Sequence, residues 1–279
     1  MISAARCAPR RRPSPMDFQV NGRKAYCYTG GKAFNAALPT VVFIHGAEHD
    51  HSVWVLQSRY LAHHGYGVLA ADLPGHGRSE GAPLASVEAI ADWLVALLDA
   101  AGAKQAALVG HSMGSLVALD CAARHPERVS RIALIATAFP MRVSPELLEA
   151  TRNDEPLAQD MVNIWSHSAY AHTPSNPGPG FWVIGENLRL MQRQKPGVMA
   201  VDFAACNAYA AGMERAAQVQ CPALFILGER DVMTPPRAAS ELAKAMPTAR
   251  IVEVSGSGHA LMAEKPDDVL DALIGFLQP

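Results

Sequence analysis

Three residues far apart along the chain have the side chains that nucleophilic acyl chemistry needs: Ser112, Asp231 and His259. Ser112 is the centre of Gly110-His111-Ser112-Met113-Gly114, which follows an apolar run and opens a helical pattern. Strand, sharp turn, helix is the setting in which a G-x-S-x-G segment lifts its serine above a sheet. So tight a turn strains the central residue and leaves no room for bulk at its neighbours. The helix that begins there aims its free N–H groups and positive dipole end at the same point. Outside that setting the same five residues are a glycine-rich turn with a solvated serine, because the bare pattern is common by chance.

A serine hydroxyl is a poor nucleophile at neutral pH and needs a base. His259, in Gly256-Ser257-Gly258-His259, follows a strand-like run and sits among glycines that let a loop reach over a sheet. Alone it would read as a hydrogen-bonded loop histidine. The base in turn needs a carboxylate to hold its tautomer and stabilise the imidazolium. Asp231 ends Leu227-Gly228-Glu229-Arg230-Asp231. Glu229 is its rival, and a helix cap is its other reading. Asp231 is preferred, since Glu229 lies nearer the strand end and would point to another side of the loop. Charge developing on an attacked carbonyl oxygen calls for backbone N–H donors. Met113, just after the nucleophile, and Ala47, in His45-Gly46-Ala47, are the expected pair; each would otherwise be a plain helix or loop residue.

These residues need a scaffold, and the hydrophobic pattern describes one. Residues 18–30 read as a hairpin closing at Gly30-Gly31. Apolar runs at 41–45, 67–77, 105–114, 131–138, 222–231 and 250–259, several of them passing into a Gly-bearing turn, have the character of buried strands. Helical spacing falls between them at 52–65, 86–102, 113–124, 237–246 and 266–277. Strict alternation implies an α/β fold: a mostly parallel twisted sheet with helices on both faces. The rhythm breaks over 139–218, which is proline-bearing, helical in pieces and without a convincing buried strand. We read 16–138 and 219–279 as the core and 139–218 as an inserted helical cap over the strand ends, where open α/β sheets bind ligands. In the cap, Trp165, His167, Tyr170, His172, Phe181, Trp182, Met191 and Met199 suit an apolar pocket, though ordinary packing is the simpler reading of any one. Trp54 and Trp93 read as core or helix-face residues.

Composition narrows the classes. Of 279 residues 49% are hydrophobic and the net charge is only −2, so the bulk of the chain can bury a core. That balance argues against nucleic acid as a partner, for the one basic cluster is at the N-terminus. No apolar run is long enough to span a bilayer. The five cysteines form no C-x-x-C pair and read as free, mostly buried thiols of a reducing compartment, so a cytoplasmic location is expected. Residues 1–15, rich in Arg and Pro, read as a disordered tail. A start at Met16 is the alternative, separable by intact mass, and a targeting peptide fits less well because the segment is short.

Taken together, the chain resembles the α/β-hydrolase superfamily from about residue 18 to its C-terminus. His45-Gly46 is similar to the family's oxyanion motif, Asp72-Leu73-Pro74-Gly75-His76-Gly77-Arg78-Ser79 to its turn after the fourth strand, and Gly110–Gly114 to its nucleophile elbow. The order serine, acid, histidine is also the family's. The resemblance implies a serine hydrolase that cleaves a carboxylic ester or related acyl bond of a small molecule through an acyl-enzyme, with no cofactor and no metal. Perhydrolases, carbon–carbon bond hydrolases and cofactor-free oxygenases share the fold, as do ligand receptors that keep the triad. Carbon–carbon hydrolases often have Asn before the serine and Gly-Gly further on, from which His111 and Gly114-Ser115 depart. Branches that use Asp as nucleophile are disfavoured by Ser112. The loop Glu48-His49-Asp50-His51 has metal-ligand residue types. A complete triad needs no metal, however, and a hydrogen-bonded loop that shapes the site is preferred.

Overall fold

The computed structural model describes residues 16–172 and 182–278. The 1–15 tail, Phe181 and the side chain of His172 lie outside the described residues. The described residues open with β1 (Met16–Val20) and β2 (Arg23–Tyr28), an antiparallel hairpin. Its turn is Asn21-Gly22, with φ of 51° and 74°, and not the expected Gly30-Gly31. Paired positive φ values match the twist of a two-residue hairpin, which Asn-Gly tolerates best. β3 (Thr40–Ile44), α1 (Val55–His63), β4 (Gly67–Ala71), α2 (Val87–Ala100), β5 (Ala106–His111), α3 (Met113–Arg124) and β6 (Val129–Ile135) then alternate. The expected helix over 52–65 is split, since His51–Trp54 is a 3₁₀ turn capped by Asp50.

Between β6 and β7 come α4 (Pro145–Asn153), α5 (Glu155–Trp165), α6 (Val183–Gln192), α7 (Val198–Ala208) and α8 (Gly212–Gln218), with no strand among the described residues. β7 (Ala223–Gly228), α9 (Ser240–Ala245), β8 (Ala249–Val254), α10 (Leu261–Glu264) and α11 (Pro266–Leu277) complete the chain. The sheet order is β1-β2-β4-β3-β5-β6-β7-β8, parallel from β4 onward through β8. The α/β sheet with helices on both faces is therefore the architecture the pattern implied.

Alternation explains the layers. On β3, Val42 and Ile44 pack into one apolar cluster with α2 and α3, whereas Val41 and Phe43 pack into another with α1 and α11. Successive side chains of a strand face opposite ways, so a continuous apolar run is buried on both faces. α2 shows the local logic of a covering helix. Ser86 accepts the Ala89 N–H at 3.2 Å, Glu88 occupies the first turn, and Ile90, Ala91, Leu94, Leu97 and Leu98 are buried. A third cluster, Leu147, Ala150, Ala158, Val162, Met191, Met199 and Phe203, joins α4 to α7. Residues Cys206, Tyr209 and Ala216 instead join the cluster under α3. Cys27, Cys121 and Cys206 are buried and Cys221 half-buried, all as free thiols. No helix among the described residues is long and apolar enough to cross a membrane.

Candidate active site

The turn between β5 and α3 is built by steric exclusion. Ser112 has φ 52° and ψ −117°, a strained conformation for a residue with a side chain. A Cβ at Gly110 would lie 2.0 Å from the Gly114 carbonyl oxygen, and one at Gly114 would lie 2.4 Å from that of Ile44. Only glycine fits at either place. The Ser112 N–H donates to Ile135 O at 2.9 Å, which ties the turn to β6. Met113 begins α3, so its N–H lacks an intrahelical acceptor. Neither this N–H nor that of Ala47 donates a hydrogen bond among the described residues.

His259 comes from the loop after β8. Its Nδ1–H donates to Asp231 Oδ2 at 2.8 Å, with Thr234 Oγ1 at 3.0 Å from the same nitrogen. Asp231, 3% exposed, is itself held on three sides. The Met233 and Thr234 N–H groups each donate to its Oδ1 at 2.8 Å, and the Thr234 hydroxyl donates to Oδ2 at 2.6 Å. Burial alone would raise this carboxyl, but the charge of His259 and the donated hydrogen bonds outweigh it and hold it at about 2. Asp231 thus serves as both local turn cap and imidazole partner. Glu229 is exposed and accepts from Ser255 Oγ at 2.9 Å and the Gly256 N–H at 2.8 Å. Thr234, three residues after the acid, was not singled out in the sequence, where a threonine before prolines carries no distinguishing signal.

Ser112, His259, His111, Gly46 and Ala47 line one cavity of about 590 Å³. No hydrogen bond joins Ser112 to His259 among the described residues. Nδ1 of His259 is engaged by Asp231, so Nε2 is the ring nitrogen that has no hydrogen-bond partner among the described residues. The cavity's remaining wall is largely aliphatic and aromatic, from Val53, Val162, Val183, Leu190, Phe203, Met233 and Met262, with His49, Asn187, Glu186 and Glu264 as polar members. This corrects the expected set of pocket residues. Met191 and Met199 are fully buried in the α4–α7 cluster, Trp165 packs against it, and Trp182 and Tyr170 are 71% and 61% exposed. His167 is buried and its Nδ1–H donates to Asn163 O at 2.8 Å. Helix orientation, which single residues do not announce, turns valine and leucine toward the cavity instead. Trp54 and Trp93 are core residues, as their positions implied.

The 45–51 loop is held by polar contacts to both sides. His45 accepts the Leu73 N–H at 3.1 Å and donates to Gly46 O at 2.8 Å, and burial keeps it neutral. His49 donates to Asn187 Oδ1 at 2.9 Å, and burial lowers it to about 4. Asp202 of α7 accepts the Glu48 N–H and His76 Nε2–H, both at 2.8 Å. His76 also donates to Pro74 O at 3.0 Å, so both ring nitrogens face acceptors. Burial opposes its charge, yet the Asp202 carboxylate wins and raises it. Glu48 accepts from Gln159 Nε2 at 2.8 Å, and burial, with Glu155 and Asp202 nearby, pushes it up to about 8. Asp50 is gripped by Arg193 and Gln194. Asp50, His51 and Asp72 do cluster closely enough for a cation. Every oxygen of the two carboxylates, however, already accepts a protein N–H, from His51, Ser52, Arg78, Arg193 or Gln194, and a cation would have to displace these.

A family model described as the alpha/beta hydrolase fold matches residues 39–266. The chain belongs to the α/β-hydrolase family. It is accordingly a hydrolase by family, with esterase and lactonase relatives. One is the pimeloyl-[acyl-carrier protein] methyl ester esterase of Chromobacterium violaceum, 31% identical over 86% of this chain and 94% of that protein. The (E)-2-((N-methylformamido)methylene)succinate hydrolase of Acinetobacter baylyi is 23% identical over 92% and 95%. Among solved structures, the enol-lactonase from Burkholderia xenovorans LB400 superposes with a TM-score of 0.82 at 28% identity, over 94% of this chain and 99% of that one. Within this α/β-hydrolase, residues 110–114 and 231–259 are the elements that bring serine, acid and imidazole to one end of the sheet.

Proposed function

We propose that this hydrolase cleaves a carboxylic ester of a small, largely apolar molecule through an acyl-enzyme on Ser112. The observation that carries the reading is the Asp231–His259 hydrogen bond at the wall of the cavity that Ser112 also lines. Ser112 Oγ attacks the carbonyl carbon while His259 Nε2 takes its proton. Asp231 holds the imidazole with Nδ1–H inward and stabilises the imidazolium. The Ala47 and Met113 N–H groups, free of other acceptors, receive the developing oxyanion. Collapse expels the alcohol, which takes the proton from His259. Water, deprotonated by the same nitrogen, then releases the carboxylic acid and frees Ser112. The helices of 139–218 act as a cap whose Val162, Val183, Leu190 and Phe203 receive the acyl group. An ester carbonyl is common to the methyl ester and the enol-lactone that the relatives' names specify, and this supports the reaction class.

The test is a series of p-nitrophenyl esters of increasing acyl length, with lactones as a second arm and Ser112→Ala as control. Turnover should fall on the order of a millionfold in Ser112→Ala while the fold persists. Undiminished turnover in that variant defeats the assignment. A wild-type protein that a fluorophosphonate does not label would instead be a ligand receptor on this fold.

A further inference from the structure

The loop that carries His259 is fastened from outside itself by one buried carboxylate. Glu264, on α10, is 7% exposed and makes no ion pair among the described residues. Its charge is met by three donors instead. Gly258 N–H donates to Oε1 at 2.9 Å, and Ser168 gives its N–H to Oε2 at 3.0 Å and its hydroxyl at 2.5 Å. On the other side of His259 the Ala260 N–H donates to Ser166 O at 2.8 Å. The His259 carbonyl itself accepts from His111 Nε2–H at 2.9 Å. Thus the N–H groups of the residues on either side of His259 are both gripped, and both grips lead to residues 166–168 at and beyond the end of α5. Packing there is close enough to demand glycine at 258, where a Cβ would lie 2.7 Å from Ser168 N and 2.9 Å from Glu264 Oε1. A buried carboxylate without a cation is costly unless its hydrogen bonds are good, and charge-assisted ones are about twice as strong as neutral ones.

We propose that Glu264 is a positioning residue: it sets the imidazole of His259 through the backbone of Gly258 and couples that setting to the 166–168 segment. The inference rests on reading His259 as the base. A base displaced by about 1 Å can lose a hundredfold in rate, with ground-state binding little changed. Because Glu264 also lines the cavity, a contact with substrate is the rival role, and the two differ in KM.

The experiment measures the rate at which a fluorophosphonate labels Ser112, with kcat and KM on a p-nitrophenyl ester, in Glu264→Ala, Glu264→Gln and Ser168→Ala. Thermal melting checks that each is folded. Labelling and kcat should fall about thirtyfold in Glu264→Ala and about threefold in Ser168→Ala, with KM within about twofold. Glu264→Gln should fall between them, because its single amide oxygen can serve Gly258 or Ser168 but not both. Wild-type labelling in folded Glu264→Ala overturns the proposal. So does a loss confined to KM. Should Glu264→Ala not fold, wild-type rates in both other variants overturn it equally. A wild-type protein that is itself unlabelled shows that the base reading has failed, and the inference falls with it.

Discussion

The elbow at 110–114 and the loop at 45–51 face the same cavity, yet they are held by opposite means. The elbow is shaped by what cannot fit: backbone atoms within 2.0–2.4 Å of any added Cβ at Gly110 and Gly114. The loop is shaped by what it holds: Asp202, Asn187, Gln159 and Arg193, all from residues 139–218, bind its residues 48–50. Steric exclusion is local and carries little dependence on pH or on distant segments. A polar network is distributed, and its strength changes with the protonation of its members. One side of the candidate oxyanion site is therefore rigid, while the other shares the fate of the helices above it.

The sharpest break is at the elbow. Gly110→Ala should cost about 4 kcal/mol or more, since the backbone has nowhere to move, and should show as a large fall in melting temperature or in soluble yield. A melting temperature near wild type would mean that the elbow is not sterically determined. Next, Asp202→Ala leaves the buried His76 Nε2–H and Glu48 N–H without their acceptor; a loss of about 3 kcal/mol in denaturant unfolding is expected, and Asp202→Asn should lose less. Equal losses for the two variants would show that the charge on Asp202 does not matter.

Glu48 separates the two kinds of construction by pH. Its proton is held in the fold up to about 8 against an ordinary 4.5. The stability it contributes is whole below about pH 4.5 and is lost as pH rises through about 8. Glu48→Gln should thus be more stable than wild type by a few kcal/mol at pH 9 and indistinguishable at pH 4, read by thermal melting at both. A gain of the same size at both pH values would show that proton linkage is not its cause. Smallest is Arg193→Ala. The guanidinium is half-exposed, so about 1 kcal/mol should go, and less in high salt. An unchanged effect in salt would assign the loss to packing.

Residues differ in how openly they declare themselves. Ser112 was legible because the elbow's requirements are contiguous: apolar strand, two glycines at fixed offsets, helix. The central strands β3, β4, β5 and β7 were legible for the same reason, their burial on both faces leaving an unbroken apolar run, whereas β8, expected to be buried, is the sheet edge and largely exposed because no further strand covers it. The first hairpin turns at Asn21-Gly22 rather than at Gly30-Gly31 because both pairs can adopt the positive φ values such a turn needs, and only strand pairing decides between them. Aromatic and methionine residues of 139–218 were poor guides to the cavity, because which face of a helix looks inward is set by its neighbours.

Local chemistry along the chain thus determined the parallel sheet, the strained serine turn and the residue types available at 231 and 259. Folding in three dimensions decided that Asp231 rather than Glu229 meets the imidazole, that the acidic and histidine loop is fastened by hydrogen bonds to Asp202, Asn187 and Arg193, and that Glu264 grips the Gly258 N–H beside His259. The reason is one of range. Backbone sterics and hydrophobic period act over a few residues and leave a mark in the order of amino acids, whereas a hydrogen bond between residues 48 and 202 leaves none until the chain has closed.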